Sequence, residues 1–166
     1  MPDDTTTWTF RTCRSDDYGW IVERHGELYR SEYGWDERFE SLVAGIVADI
    51  ARNRDPGRER GWIAELDGRP VGSVFLVRHP EREGVAKLRL LLVEPEARGL
   101  GIGARLVAEC TAFARAAGYR AVTLWTSNVL HAARRLYEAE GYRLIREEPE
   151  GLFNEGELAQ EWELAL

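Results

Sequence analysis

Lysine is almost absent from this chain: Lys87 is the only one among 22 basic residues. Nearly all fixed positive charge therefore comes with the planar guanidinium fork that suits carboxylate and phosphate. Cysteine is scarce too, and Cys13 and Cys110 lack the C-x-x-C spacing of a metal or redox pair, so each reads as a small core residue. His79 and His131 have no partners at metal-ligand spacing and His25 reads as a local cap or surface residue, so no metal is expected. Positive charge is not in excess. With 29 acidic residues the formal net charge is -7, which argues against a protein that coats nucleic acid. Long apolar runs are missing as well; Leu90 to Val93 is far too short to cross a bilayer. The start, Met1-Pro-Asp-Asp-Thr, has neither the basic residues nor the apolar stretch of a secretory signal, so a cytoplasmic protein without a membrane partner is expected.

What is present reads as one α/β domain over residues 1–166. Thr5 to Arg14 is β-branched and aromatic, a first strand, and Ser15-Asp16-Asp17 offers capping for a helix to about Tyr29. Asp36 can cap a second helix, because Phe39, Leu42, Val43, Ile46, Val47 and Ile50 follow helical spacing to about Asn53. Arg54 to Arg60, with Pro56 and Gly57 among charges, is a loop. Trp62 to Leu66 and Val71 to Val77 flank Asp67-Gly68 and predict a hairpin. Val85 to Val93 is expected as the central strand, buried on both faces. Gly101 to Ala117 predicts an amphipathic helix closed by Gly118, then a strand over Val122 to Thr126. Ser127 or Asn128 can cap a helix to Glu140, and strands over Tyr142 to Glu147 and Leu158 to Leu166 complete the order β-α-α-β-β-β-α-β-α-β-β. The last strand is a candidate for pairing or swapping across a homodimer.

Between the central strand and the third helix stands Val93-Glu-Pro-Glu-Ala-Arg98-Gly-Leu-Gly101-Ile-Gly103, a turn with three glycines. Unpaired N–H groups at a helix N-terminus, with no Cβ in the way, form a ready anion site, and Arg98 adds charge at its rim. The plain alternative is a tight turn with glycines at positive φ. A kinase-type P-loop is excluded, since Ala104-Arg105 stands where Lys and Ser or Thr are needed. A dinucleotide fingerprint fails as well, because a loop containing Pro95 intervenes and no acidic residue lies between Gly118 and Asn128 to hold a ribose.

The run V-x-P-x-x-R-G-x-G-I-G, with A-R-x-L-Y-x-x-x-G-Y at Ala133 to Tyr142, resembles the acyl-CoA-binding core of the GNAT N-acetyltransferases over Trp62 to about Glu147. Nearly the whole chain is similar to GNAT domains fused behind MarR-type regulators. It shares their G-W-x-x-x-R-H-G (Gly19 to Gly26), E-Y-G-W-D (Glu32 to Asp36) and L-R-L-L-L-V-E-P (Leu88 to Pro95). The resemblance implies the GNAT fold, a central mixed and largely antiparallel sheet flanked by about four helices, and transfer of acetyl from acetyl-CoA to an amine of a small molecule or protein. It implies that Leu92 and Val93 hold the pantetheine arm and that Arg98, Gly99, Leu100, Gly101, Ile102, Gly103 and Ala104 hold the pyrophosphate. Tyr137 is implied near the sulfur, as general acid to the leaving thiolate.

Asn128 is a further candidate for the cofactor, with a helix cap as its plain alternative. It stands two residues further from Tyr137 than the family's commoner spacing. Tyr29, Tyr33 and Trp35 surround the break between the first two helices, where the resemblance places the acceptor pocket, and Trp125 ends the strand across the cleft. Packing without a ligand explains these aromatics equally well. No base is assigned, because Lys87 and Arg89 stand where many relatives carry Glu; Glu32, which is also a candidate for the acceptor site, or a water chain could serve, or the acceptor could arrive already neutral. Lys87 and Arg89 share a strand face and could attract an acceptor with a carboxylate or phosphate, or be solvated or paired there. A silent acyl-CoA sensor and an interaction module remain the alternatives to an enzyme.

Overall fold

Asp67 and Gly68 both take positive φ, 52° and 75°, in the computed structural model of the protein, which describes residues 7–53, 55–149 and 154–166. That turn folds strand β2 (Arg60–Leu66) back on β3 (Arg69–Arg78), with Leu66 facing Arg69. β1 (Trp8–Thr12) pairs antiparallel with β2 on one side, and β4 (Val85–Val93) pairs antiparallel with β3 on the other. Thr5 and Thr6 of the expected first strand, and Arg54 of the expected loop, lie outside the described residues.

The remaining strands are β5 (Ala121–Ser127), β6 (Arg143–Pro149) and β7 (Leu158–Ala165), and the sheet order is β1-β2-β3-β4-β5-β7-β6. Only β4 and β5 run parallel, as a crossover through helix α3 (Ile102–Ala116) requires. α3 buries Ile102, Leu106, Val107, Cys110 and Ala114 against one face of the sheet, together with Val71, Leu88, Val122 and Leu124. Helices α1 (Tyr18–Tyr33) and α2 (Glu37–Arg52) cover the other face. There Ile21, Trp35, Phe39, Val43 and Val47 pack on Ile63 and Phe75. Helix α4 (His131–Glu140) follows β5.

Several boundaries differ from the sequence expectation for physical reasons. α1 runs four residues past Tyr29, to Tyr33, because Gly34 at φ 72° supplies the left-handed cap. Asp36 caps α2 as expected, accepting from the Arg38 N–H at 3.0 Å. Neither Ser127 nor Asn128 caps α4, which begins only at His131. Asn128 is occupied elsewhere: its side-chain oxygen accepts from the Leu158 N–H at 2.7 Å and so anchors the start of β7. β7 is not a free edge, since it pairs with both β5 and β6. β4 is central but is not buried on both faces; Lys87, Arg89, Leu90, Leu91 and Val93 remain partly exposed. The cause is the geometry beside it, where the site forms.

Candidate functional site

β4 and β5 stay paired only over Val85–Lys87 and Ala121–Thr123. Beyond Lys87 the two strands diverge, and the β4 backbone has no ladder partner on that side. A bulge sharpens the divergence. Arg89 faces Phe75 and Leu92 faces Ser73, so Leu90 and Leu91 together oppose Val74, and Leu90 is driven to φ 58°. The Ser73 hydroxyl donates to the Leu90 carbonyl at 2.8 Å and holds the distortion. Glu94 donates its N–H to the Val71 carbonyl of β3 at 2.7 Å. Successive strand N–H groups point to opposite edges, so that of Val93 points into the splay.

A cavity of about 500 Å³ opens at the upper end of this splay. Gly99 and Gly101 both sit at φ 83°, and a Cβ on either would meet nothing within 4 Å, so conformation rather than space demands glycine there. Gly103 differs: a Cβ there would stand 2.7 Å from Leu136 Cδ1 on α4. The Arg105 N–H to the Gly101 carbonyl, 3.1 Å, is the bond that opens α3. The N–H groups of Ile102, Gly103 and Ala104 precede it and have no intrahelical partner. Arg98 Nη2 donates to Glu32 Oε1 at 2.6 Å, which ties the turn to α1. Leu92, Val93, Arg98, Gly99, Gly101, Ile102, Gly103 and Ala104 all line this cavity. Leu100 does not; its carbonyl accepts from Trp8 Nε1 at 3.1 Å. Asn128 also lies outside it.

A second cavity, about 360 Å³, lies on the α1–α2 side of β4 and shares Tyr29, Leu91, Leu130 and Ala133 with the first. The two adjoin across the splay. Trp125, Tyr137, Lys87 and Arg89 line the second cavity, whereas Glu32 and Tyr33 line the first. Tyr29, Trp35 and Phe39 pack in tilted and edge-on contacts with ring centroids 4.5 to 5.2 Å apart and form the wall between α1 and α2. The Tyr137 hydroxyl has no hydrogen-bond partner among the described residues. Burial first, then the neighbouring Tyr29, pushes its pKa well up, so the phenol stays protonated and can donate. Burial, and for Lys87 the adjacent Arg89, lowers the pKa of both cations.

His25 was not foreseen as a buried residue. Only 2% of it is exposed, it lines the second cavity, and it stacks on Tyr29 at 5.9 Å. The signal was available: Ile21, His25 and Leu28 stand at i, i+4 and i+7, on the buried stripe of α1. Nδ1 lies 2.7 Å from the Ile21 carbonyl, which only accepts, so Nδ1 carries the proton and Nε2 is bare. Burial depresses the pKa from 6.5 to about 4. The unfolded chain therefore takes up a proton near pH 6.5 that the folded one refuses until about pH 4. Stability is full above pH 6.5 and falls by about 3 kcal/mol as pH drops through that window. Denaturant titrations between pH 4 and 7 should show this slope in the parent and a flatter one in His25→Gln. Equal slopes would place the titrating group elsewhere.

The profile of the acetyltransferase (GNAT) family matches residues 7–142. A probable N-acetyltransferase, camello, of Xenopus tropicalis is 37% identical over 87 residues, 52% of this chain and 40% of that protein. An uncharacterised N-acetyltransferase of Schizosaccharomyces pombe is 31% identical over 129 residues, 77% of this chain and 76% of that protein. The chain spans 27% to 61% of the length of the first curated relatives it matches. A Salmonella typhimurium acetyltransferase structure with its cofactor acetyl-CoA superposes with a TM-score of 0.74 at 17% identity, covering 96% of this chain and 94% of that one. No described helix is long and apolar enough to cross a membrane.

Proposed function

The chain belongs to the acetyltransferase (GNAT) family, and from that premise we propose that it is an acetyl-CoA-dependent N-acetyltransferase acting on a primary amine of a small molecule or protein. The observation that carries this reading is the meeting of two cavities at the β4–β5 splay, with the glycine turn at the end of one and Tyr137 on the wall of the other. The residues present fit a bound acetyl-CoA. Two left-handed glycines and the free N–H groups of Ile102, Gly103 and Ala104 suit a pyrophosphate, with Arg98 at the rim. The unpaired edge of β4, with the Val93 N–H directed into the splay, suits the amides of a pantetheine arm added as a further strand.

When bound, the thioester supplies the acetyl group; the amine gains an N–C bond and loses a proton as the C–S bond breaks and the thiolate gains one. Splay-facing N–H groups of β4 would hold the carbonyl oxygen as negative charge develops on it. Tyr137 would give the hydroxyl proton that the thiolate needs. Glu32, a candidate base from the sequence, is held by Arg98 in the first cavity, and no carboxylate lines the second among the described residues. The acceptor would then attack as the neutral amine. Within the family we place the chain near the domains fused to MarR-type regulators. The motifs shared with them do structural work here, since Arg24 bonds Glu94 at the end of β4 and Trp35 packs in the core between the helices and the sheet. That no carboxylate among the described residues lines the second cavity favours one second reading, a silent acyl-CoA sensor.

Calorimetric titration with acetyl-CoA, together with thiol release across a panel of amines, separates the two. Tight binding without thiol release favours the sensor, and no binding removes both. Gly101→Ala forces an alanine to φ 83° at the anion turn. It should weaken acetyl-CoA by about 5-fold or more, the equivalent of about 1 kcal/mol of strain. Parent-like affinity would move the pyrophosphate away from this turn.

A further inference from the structure

We propose that the accepted amine carries both an acidic group and an apolar body, the chemistry of a hydrophobic α-amino acid, and that Lys87 and Arg89 hold the acid in the second cavity. This rests on the acetyltransferase reading and adds the class of acceptor. Other partly buried cations have a partner within the chain: Arg11 pairs with Asp17 at 2.8 Å, Arg24 with Glu94 at 2.6 Å and Arg82 with Glu163 at 2.5 Å, while Arg58 lies over the Tyr119 ring and Arg134 donates to the Asn128 carbonyl. Lys87 and Arg89 form no such pair within 4.0 Å among the described residues. Asp49 on α2, Glu161 on β7 and Glu81 act on them only from beyond that distance. Two adjacent cations held on one strand face, partly out of water and without a counter-charge, are poised for an external anion.

The rest of the cavity wall is apolar. Leu42 and Trp125 are 42% and 41% exposed, beside Ile46 and Leu90, and they would cover a hydrophobic side group. Position fits as well. Arg89 lies two places before Leu91, a residue of both cavities, across the bulge at Leu90. An acid held at Arg89 would direct the α-amine, two bonds away, toward Leu91 and the other residues shared by the two cavities. A polyamine or a lysine flanked by basic residues would meet like charge instead.

The test compares L-phenylalanine and L-leucine with L-phenylalaninamide, phenethylamine, spermidine and O-phosphoethanolamine, using the full chain, acetyl-CoA and thiol release. The free amino acids should exceed L-phenylalaninamide in kcat/KM by about 10-fold to 100-fold. Lys87→Met and Arg89→Met should each cut that preference by about 10-fold and leave the Kd of acetyl-CoA unchanged. Equal rates for acid and amide overturn the anion subsite while the acetyltransferase reading stands; faster turnover of O-phosphoethanolamine overturns the apolar half. If no amine releases thiol, the acetyltransferase reading fails. Calorimetry of N-acetyl-L-phenylalanine against its amide on CoA-loaded protein then decides the subsite: preference for the acid supports it, equal affinity overturns it.

Discussion

Tyr137→Phe should lower kcat by about 100-fold to 1000-fold with little change in KM for acetyl-CoA or in Tm. The hydroxyl has no partner among the described residues, so its loss leaves no buried group unsatisfied and costs the fold little. The phenylalanine ring keeps the packing on Tyr142, whose centroid lies 5.7 Å away. What is lost is a proton donor in a largely dry site. Because burial raises the pKa of this phenol, it stays protonated across the accessible pH range, and no alkaline fall in rate should trace to it. Thiol release under saturating acetyl-CoA measures kcat, and thermal unfolding measures the fold. A parent-like kcat would reduce Tyr137 to a core aromatic.

Glu94→Ala is the second large effect, on stability. Glu94 is 7% exposed and accepts from Arg24 Nε and Nη2 at 2.6 and 2.9 Å, a two-point bond between α1 and the residue that follows β4. Removing the carboxylate leaves the Arg24 guanidinium partly buried beside Glu27 alone, a loss of about 3–5 kcal/mol. In a domain of this size that lowers Tm by roughly 10 °C. The double variant Arg24→Met, Glu94→Leu should recover much of it, because the cost comes from the stranded charge rather than from the missing attraction. Acetyl-CoA affinity should fall with Glu94→Ala as well, since Glu94 directly precedes the Pro95 turn and α1 lines both cavities. A drop in Tm of only a degree or two would show the pair to be solvent-screened.

Much of the fold was legible because it rests on short-range preferences. Asp67-Gly68 must turn, Asp36 offers a cap two residues from its donor, and Gly101 and Gly118 bracket a helix by their φ. At one boundary a distant partner outbid a local one, and at another a local cap lay further along than expected. Asn128 looked like a helix cap in its own neighbourhood, yet it bonds Leu158, 30 residues on. Tyr29 looked like a helix end, but Gly34 carries the helix on and turns Tyr33 and Glu32 toward the glycine turn.

The site divides in the same way. By itself the sequence determined the glycine turn and the shared face of Lys87 and Arg89, because backbone conformation and strand alternation are properties of neighbouring residues. Only the tertiary structure decided that β4 and β5 part after Lys87, that Glu32 is held by Arg98 rather than standing opposite Tyr137, and that His25 is buried. It also decided that the two cations of β4 meet no carboxylate at short range while Arg11, Arg24 and Arg82 do. Those facts depend on strand register, a bulge at Leu90 and the packing of α1, which bring together residues 30 to 100 positions apart. Whether a charge is satisfied is a property of that assembled neighbourhood and not of the segment that carries it.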